Sequence, residues 1–114
     1  MTIKGQNFEI FQGDTKQITI SVTDEDGAIL PLTGYDAIWV VYKQTSKELI
    51  ISKVLASGIS IPTPSNGEII IDLLPEDTET VIPGTYLHEC EISTSPIDVS
   101  TVSTGTIKVL YSKA

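Results

Sequence analysis

Cys90 and His88 are the chain's only cysteine and only histidine, and they stand two residues apart in the segment TYLHECEIS. Positions i and i+2 of a strand share a face, so a thiolate–imidazole pair for covalent catalysis is geometrically open to them. That chemistry also needs a group to orient the imidazole and donors to hold an oxyanion. The surrounding sequence offers neither. In phase with Tyr86 and Ile92, the two residues read instead as a packed thiol and a hydrogen-bonded imidazole on the inward face, near a strand end. One histidine and one cysteine cannot build a multi-histidine or cysteine-cluster metal site, and no intrachain disulfide can form.

The acidic groups allow other chemistry. Asp24-Glu25-Asp26-Gly27 resembles the first half of a calcium loop, but a full loop needs further oxygen ligands and a bidentate glutamate. Ala28, Ile29 and Leu30 follow, so the segment reads as an acidic hairpin turn. Glu76-Asp77-Thr78-Glu79 behind Pro75 places negative charge at the start of a helical turn, where the helix dipole favours it. Glu89 and Glu91 point outward from one strand. Paired carboxylates can hydrolyse glycosides, yet no aromatic sugar platform stands beside them. No catalytic, cofactor-binding or metal-binding residue is assigned, and the expectation is a protein that is not an enzyme and carries no cofactor.

These residues sit in a chain of 114 residues, enough for one domain, 1–114, with one core. The apolar residues are rich in Ile and Val, which suit pleated surfaces better than helices. Fifteen acids against seven lysines, with no arginine, give a formal charge of −8. Such a surface repels phosphate and lacks guanidinium forks, which argues against nucleic acid and anionic membrane as partners. No run approaches the ~20 apolar residues of a membrane span. Met1-Thr2-Ile3-Lys4 is not followed by an apolar run, so a secretory leader is not expected and synthesis is placed in the cytoplasm.

Turn signals recur at Gly13-Asp14, Asp26-Gly27, Gly34, Gly58, Asn66-Gly67, Pro83-Gly84 and Pro96, and the short apolar runs between them read as strands. Expected strands are Asn7–Gln12, Lys16–Thr23, Asp36–Lys43, Leu49–Val54, Gly58–Ile61, Glu68–Leu73, Thr85–Ser93 and Val99–Tyr111. Asn66-Gly67 is a hairpin signal, Pro75–Glu79 a single helical turn, and Gly105 a bulge. In Lys16–Thr23, Ile18, Ile20 and Val22 alternate with polar residues, so one face is buried. Asp36–Lys43 is apolar on both faces, with Ala37, Trp39 and Val41 on one and Ile38, Val40 and Tyr42 on the other. Such a strand is central or covered by something further. The expected core is Trp39, Ile18, Ile20, Val22, Val41, Ile71, Tyr86 and Ile92. Trp39 on the third strand, and the Leu74–Thr78 corner before Gly84-Thr85-Tyr86, fit an all-β, immunoglobulin-like antiparallel β-sandwich of seven to nine strands with one short helical turn. The pattern is not of the antibody type, because Ile20 and Val22 stand where a disulfide partner would sit.

Gln12-Gly13-Asp14-Thr15, Asp24-x-Asp26-Gly27, Leu32-Thr33-Gly34-Tyr35, Gly58-Ile59-x-Ile61, Pro83-Gly84-Thr85-Tyr86 and Gly105-Thr106-Ile107-Lys108-Val109 occur in this order along nearly the whole chain. The set resembles small immunoglobulin-like virion domains of tailed bacteriophages, and is similar to the N-terminal domain of phage baseplate upper proteins. The resemblance implies a structural protein of a phage or prophage virion, in the baseplate, tail, neck or capsid surface as decoration. Its partners would be other virion proteins, and it would act by docking as a homo-oligomer in a symmetric assembly. The sequence ends at Ala114, so the expectation is a free-standing domain. Met1–Gln6, as an extended N-terminal arm, and the Ser/Thr-rich last strand are expected to make the inter-subunit contacts. The competing expectation is a carbohydrate-binding or host-adhesion module that uses Tyr35, Tyr42 and Tyr111 against a glycan.

Overall fold

The computed structural model describes residues 4–112. In chain order these form β1 (Lys4–Gly5), β2 (Phe8–Phe11), β3 (Lys16–Ser21), β4 (Asp36–Tyr42), β5 (Leu49–Leu55), β6 (Gly58–Ser60), a 3-10 turn (Pro64–Asn66), β7 (Glu68–Leu73), α1 (Pro75–Thr78), β8 (Gly84–Ser95) and β9 (Asp98–Leu110). No helix among the described residues is long and apolar enough to cross a membrane. The expected boundary of β7 is met at both ends. β3 stops short of its expected end, because Thr23 keeps only an isolated bridge to Ile29 across the acidic turn.

The strands form one sheet in the order β1-β9-β8-β4-β5-β6-β7-β3, with β2 continuing on β9 beyond β1, and the sheet curls almost into a barrel. It is mixed rather than wholly antiparallel as expected. β1 and β2 run parallel to β9, and β5 runs parallel to β6 over Val54↔Gly58 and Leu55↔Ile59. The second of these pairings is local in origin. The chain coils through Ala56 at φ 69° and Gly58 at φ 98°, so it resumes beside itself in the same direction. The first joins the two ends of the chain, a pairing that no local pattern announces.

All eight residues expected in the core are buried, and Trp39, Ile20 and Ile71 are fully enclosed. Their alternation follows from the pleat: in β4, Ala37, Trp39 and Val41 turn inward while Ile38, Val40 and Tyr42 turn out. Leu32, Ile69, Leu73, Cys90, Val102 and Ile107 are enclosed with them. Burying such a side chain contributes ~1.5–3 kcal/mol, and the cluster spans strands from both ends of the sheet.

Two glycines have roles other than those expected. The β8–β9 register slips between Cys90 and Glu91, so Val102 is the extra residue and Gly105 pairs regularly with His88. Gly105 is needed for a close approach, since a Cβ there would lie 1.8 Å from the Gln6 carbonyl oxygen. Asn66-Gly67 does not make a two-residue hairpin. Pro64–Asn66 forms the 3-10 turn, and Gly67 follows it in the left-handed region at φ 66°. A Cβ at Gly67 would meet the carbonyl oxygens of Leu30 and Val22 at 2.7 and 2.9 Å.

Within the expected N-terminal arm, Lys4–Gly5 is a strand paired to Ser103–Thr104 of the same chain, and Gln6 N–H continues the ladder to the Thr104 carbonyl at 2.9 Å. Met1–Ile3 lie outside the described residues.

Candidate functional site

His88 lies within β8 rather than near a strand end, and is 1% exposed. The Trp39 indole N–H donates to its Nδ1 at 3.3 Å. An indole nitrogen can only donate, so Nδ1 is the acceptor and the ring proton sits on Nε2. Nε2 then donates to the Gln6 carbonyl at 2.7 Å. Phe8 packs with its ring centroid 5.1 Å from the imidazole, and the Lys16 ammonium lies 5.9 Å from the Phe8 centroid. Burial lowers the His88 pKa, against which the bond to Gln6 acts only in part. Both ring nitrogens are occupied, which leaves no lone pair for a substrate. Cys90 faces Trp39 across the β4–β8 ladder, and burial, with Glu91 adding to it, pushes its thiol up to about 12. A thiol protonated at neutral pH and sealed from solvent is not an activated nucleophile.

Sequence reading placed His88 and Cys90 on one inward face but missed the chain Trp39–His88–Gln6. Trp39 and His88 stand on adjacent strands two residues out of register, on the same face, a relation that needs the pairing itself. Gln6 is 82 residues from His88 in sequence.

The acidic turn closes on itself. Asp24 Oδ1 accepts from the N–H groups of Asp26 at 2.9 Å and Ala28 at 3.0 Å, as an aspartate does in an Asx-turn. Asp77 Oδ2 reaches back to the Leu74 N–H at 2.7 Å and pairs with the Lys53 ammonium at 2.7 Å, which fixes α1 against β5. Among the described residues no three His, Cys, Asp or Glu side chains converge as a metal site. The tyrosines are dispersed: Tyr35 and Tyr42 flank opposite ends of β4, and Tyr111 follows β9. Tyr35 packs partly into the core, while Tyr111 is exposed.

What the structure does assemble is the outward face of β5, β4, β8 and β9. Three rows cross these strands: Val54, Ile38, Glu91 and Thr101; then Ser52, Val40, Glu89 and Thr104; then Leu49, Tyr42, Leu87 and Thr106. Leu49 is 57% exposed, Val54 42% and Ile38 37%, and beside them Val99 is 49% exposed. Burial, and then the charge of Glu89, raise the Tyr42 pKa, so the phenol stays neutral among these aliphatic neighbours. The face is a band of branched aliphatics with two carboxylates along β8 and threonines along β9. The sequence signalled it through the two apolar faces of β4.

No protein-family model and no curated protein matches the chain. Among solved structures it is similar to a family 123 glycoside hydrolase from Clostridium perfringens, at 12% identity and a TM-score of 0.45. That likeness covers 98% of this chain and 24% of the hydrolase, so the chain spans about a quarter of the hydrolase's length. At that score it carries no argument about activity.

Proposed function

We propose that the chain is a non-enzymatic structural protein of a tailed phage or prophage virion, an immunoglobulin-like sandwich that acts by protein–protein docking in a symmetric assembly. Three features support the architecture. The first strands pair in parallel with the last; Trp39 lies opposite Cys90; and the Tyr86 hydroxyl closes a corner by donating to the Ile82 carbonyl. In this reading β1, β2, β9, β8, β4 and β5 form one layer and β6, β7 and β3 the other. The turn motifs shared with phage virion domains support the setting.

The observation that carries docking is the outward band through Ile38, Val40, Tyr42 and Val54. These aliphatics stand exposed on the face of the β4–β8–β9 ladder, and contiguous exposed apolar surface marks interaction sites. The test is mass spectrometry of particles purified from the lysed source culture. Peptides of this chain at fixed stoichiometry with the tail or capsid proteins are expected, and their absence from intact particles defeats the virion reading.

A glycan-binding role has one observation in its favour: Tyr42 and Glu89 line a shallow hollow of about 370 Å³. The Lys47 ammonium lies 5.7 Å from the Tyr42 ring centroid, over the face a sugar would need. A glycan array probed with the wild type and Tyr42→Ala separates the readings, since only a lectin gives signals that the substitution removes.

A further inference from the structure

We infer that the open edge of β5 accepts an extended, apolar and basic segment of a partner protein as an added strand. The site is the backbone edge that borders the outward sheet face, with Leu49 and Ser52 common to both, and it stands whether or not the virion reading holds.

β5 pairs with β4 along its length but with β6 only at Val54 and Leu55, which leaves Leu49–Lys53 without a second strand neighbour among the described residues. The direction of its backbone follows from the corner beyond it. Val54 donates to the Ser57 carbonyl at 3.2 Å and accepts from the Ser57 N–H at 2.9 Å, so its backbone groups point away from β4. Alternation along a strand points the N–H and C=O of Ser52 the same way. Unpaired edge groups of this kind are a template for another strand.

A groove of about 450 Å³ runs beside this edge, between Ile50 and Ser52 on one side and Thr80, Val81, Ile82 and Tyr86 on the other. Its far wall is tied in place. Gln12 Nε2 donates to the Val81 carbonyl at 2.7 Å, Thr78 Oγ1 accepts from Gly13 N–H at 3.0 Å, and Tyr86 holds Ile82. The groove therefore exists before anything enters it, which reduces the ordering cost of binding.

The rim charges select the occupant. Lys43 pairs with Glu48 at 2.8 Å and Lys53 with Asp77 at 2.7 Å, so both cations are neutralised within the chain. Glu76, also on the rim, has no ion-pair partner among the described residues. A chain of net charge −8 adds to that bias. The fitting segment alternates apolar side chains, packed on Ile50 and Val81, with lysine or arginine directed at Glu76. The edge also differs from the outer side of β3, the strand that ends the sheet. β3 begins on Lys16, the kind of edge lysine that discourages pairing. The lysine of β5, Lys53, is turned inward to Asp77 and marks where the groove ends.

The test uses isotope-labelled full chain and a pool of short synthetic peptides alternating Val, Ile or Tyr with Lys or Thr. Backbone amide shifts confined to Ile50, Ser52 and the Thr80–Ile82 wall are expected, saturating with peptide, together with contacts between peptide backbone and Ser52. Ser52→Pro removes the outward N–H without touching the β4 ladder and abolishes binding, while Glu76→Lys weakens it several-fold. If the proline variant does not fold, peptides N-methylated on the pairing face replace it and must not bind. The inference is overturned by shifts absent up to about 1 mM peptide, or by equal binding of Ser52→Pro or of the N-methylated peptides. It is overturned equally by edge shifts that follow protein concentration without peptide, which would make the occupant a second copy.

Discussion

The two faces of β4 are nearly equal in hydrophobicity and opposite in fate. Ala37, Trp39 and Val41 are sealed in the core, whereas Ile38, Val40 and Tyr42 remain half-exposed among Glu89, Glu91 and threonines. On the inward side no buried side-chain nitrogen or oxygen among the described residues lacks a partner, and indole, imidazole and the Gln6 carbonyl form one chain. On the outward side Ile38 and Val54 stay exposed, and only the Lys47 ammonium reaches over Tyr42 among the described residues. The inward face specifies the fold, and the outward face is surplus to it. Surplus apolar surface on a scaffold is where a partner gains its contact area.

Substitutions that break the inward face should have the largest effects. Trp39→Ala removes the largest enclosed side chain and strands the imidazole, at a cost of about 3–5 kcal/mol in denaturant unfolding. His88→Leu keeps the volume roughly but leaves the Trp39 N–H and the Gln6 carbonyl without partners, at about 1–3 kcal/mol for each group so orphaned.

His88 also gives the inward face a pH signature. Its folded pKa is lowered from the ordinary 6.5, so the unfolded chain takes up the proton more readily than the folded one. Its contribution to stability is therefore complete above pH 6.5 and is lost as pH falls through the folded value. Protonation would set a new Nδ1–H against the Trp39 N–H. Unfolding titrations between pH 7.5 and 5 should show a decline in the wild type that is shallower in His88→Leu; parallel curves would refute the assigned tautomer.

Gly105→Ala comes next in size. Its methyl must displace the Gln6 carbonyl, and overpacking of this kind costs about 1–3 kcal/mol. Amide exchange should speed up first at Gly5–Asn7 and leave β3 and β7 protected. Smallest are changes to the outward face: Ile38→Thr and Val40→Thr should each alter folding stability by no more than about 0.5 kcal/mol. A cost several times larger would mean that this face supports the fold after all, and the contrast would fail.

Period-two alternation made the inward face legible from sequence. It located Ile18, Ile20 and Val22 and both sides of β4, because one buried face fixes register, while the Asn66-Gly67 turn signal set the start of β7. Pairing between distant segments left no such trace. Nothing in Lys4–Phe11 says that it runs parallel to β9, and so Gly105 read as a bulge when its role is to admit the Gln6 carbonyl. His88 was legible as buried but not as an acceptor, since its partners come from other strands. The groove beside β5 was invisible for a different reason: a missing neighbour is a property of topology, which residue types do not encode.

The central claim is that the outward face of β4 docks a partner and does little else. The most direct measurement compares wild type with the double variant Ile38→Lys/Val40→Lys, expressed in the source host and followed into purified particles, with thermal unfolding run on both proteins. The account predicts unfolding temperatures that agree closely and a variant missing from the particle fraction. A variant that folds equally well and is incorporated like the wild type would contradict it.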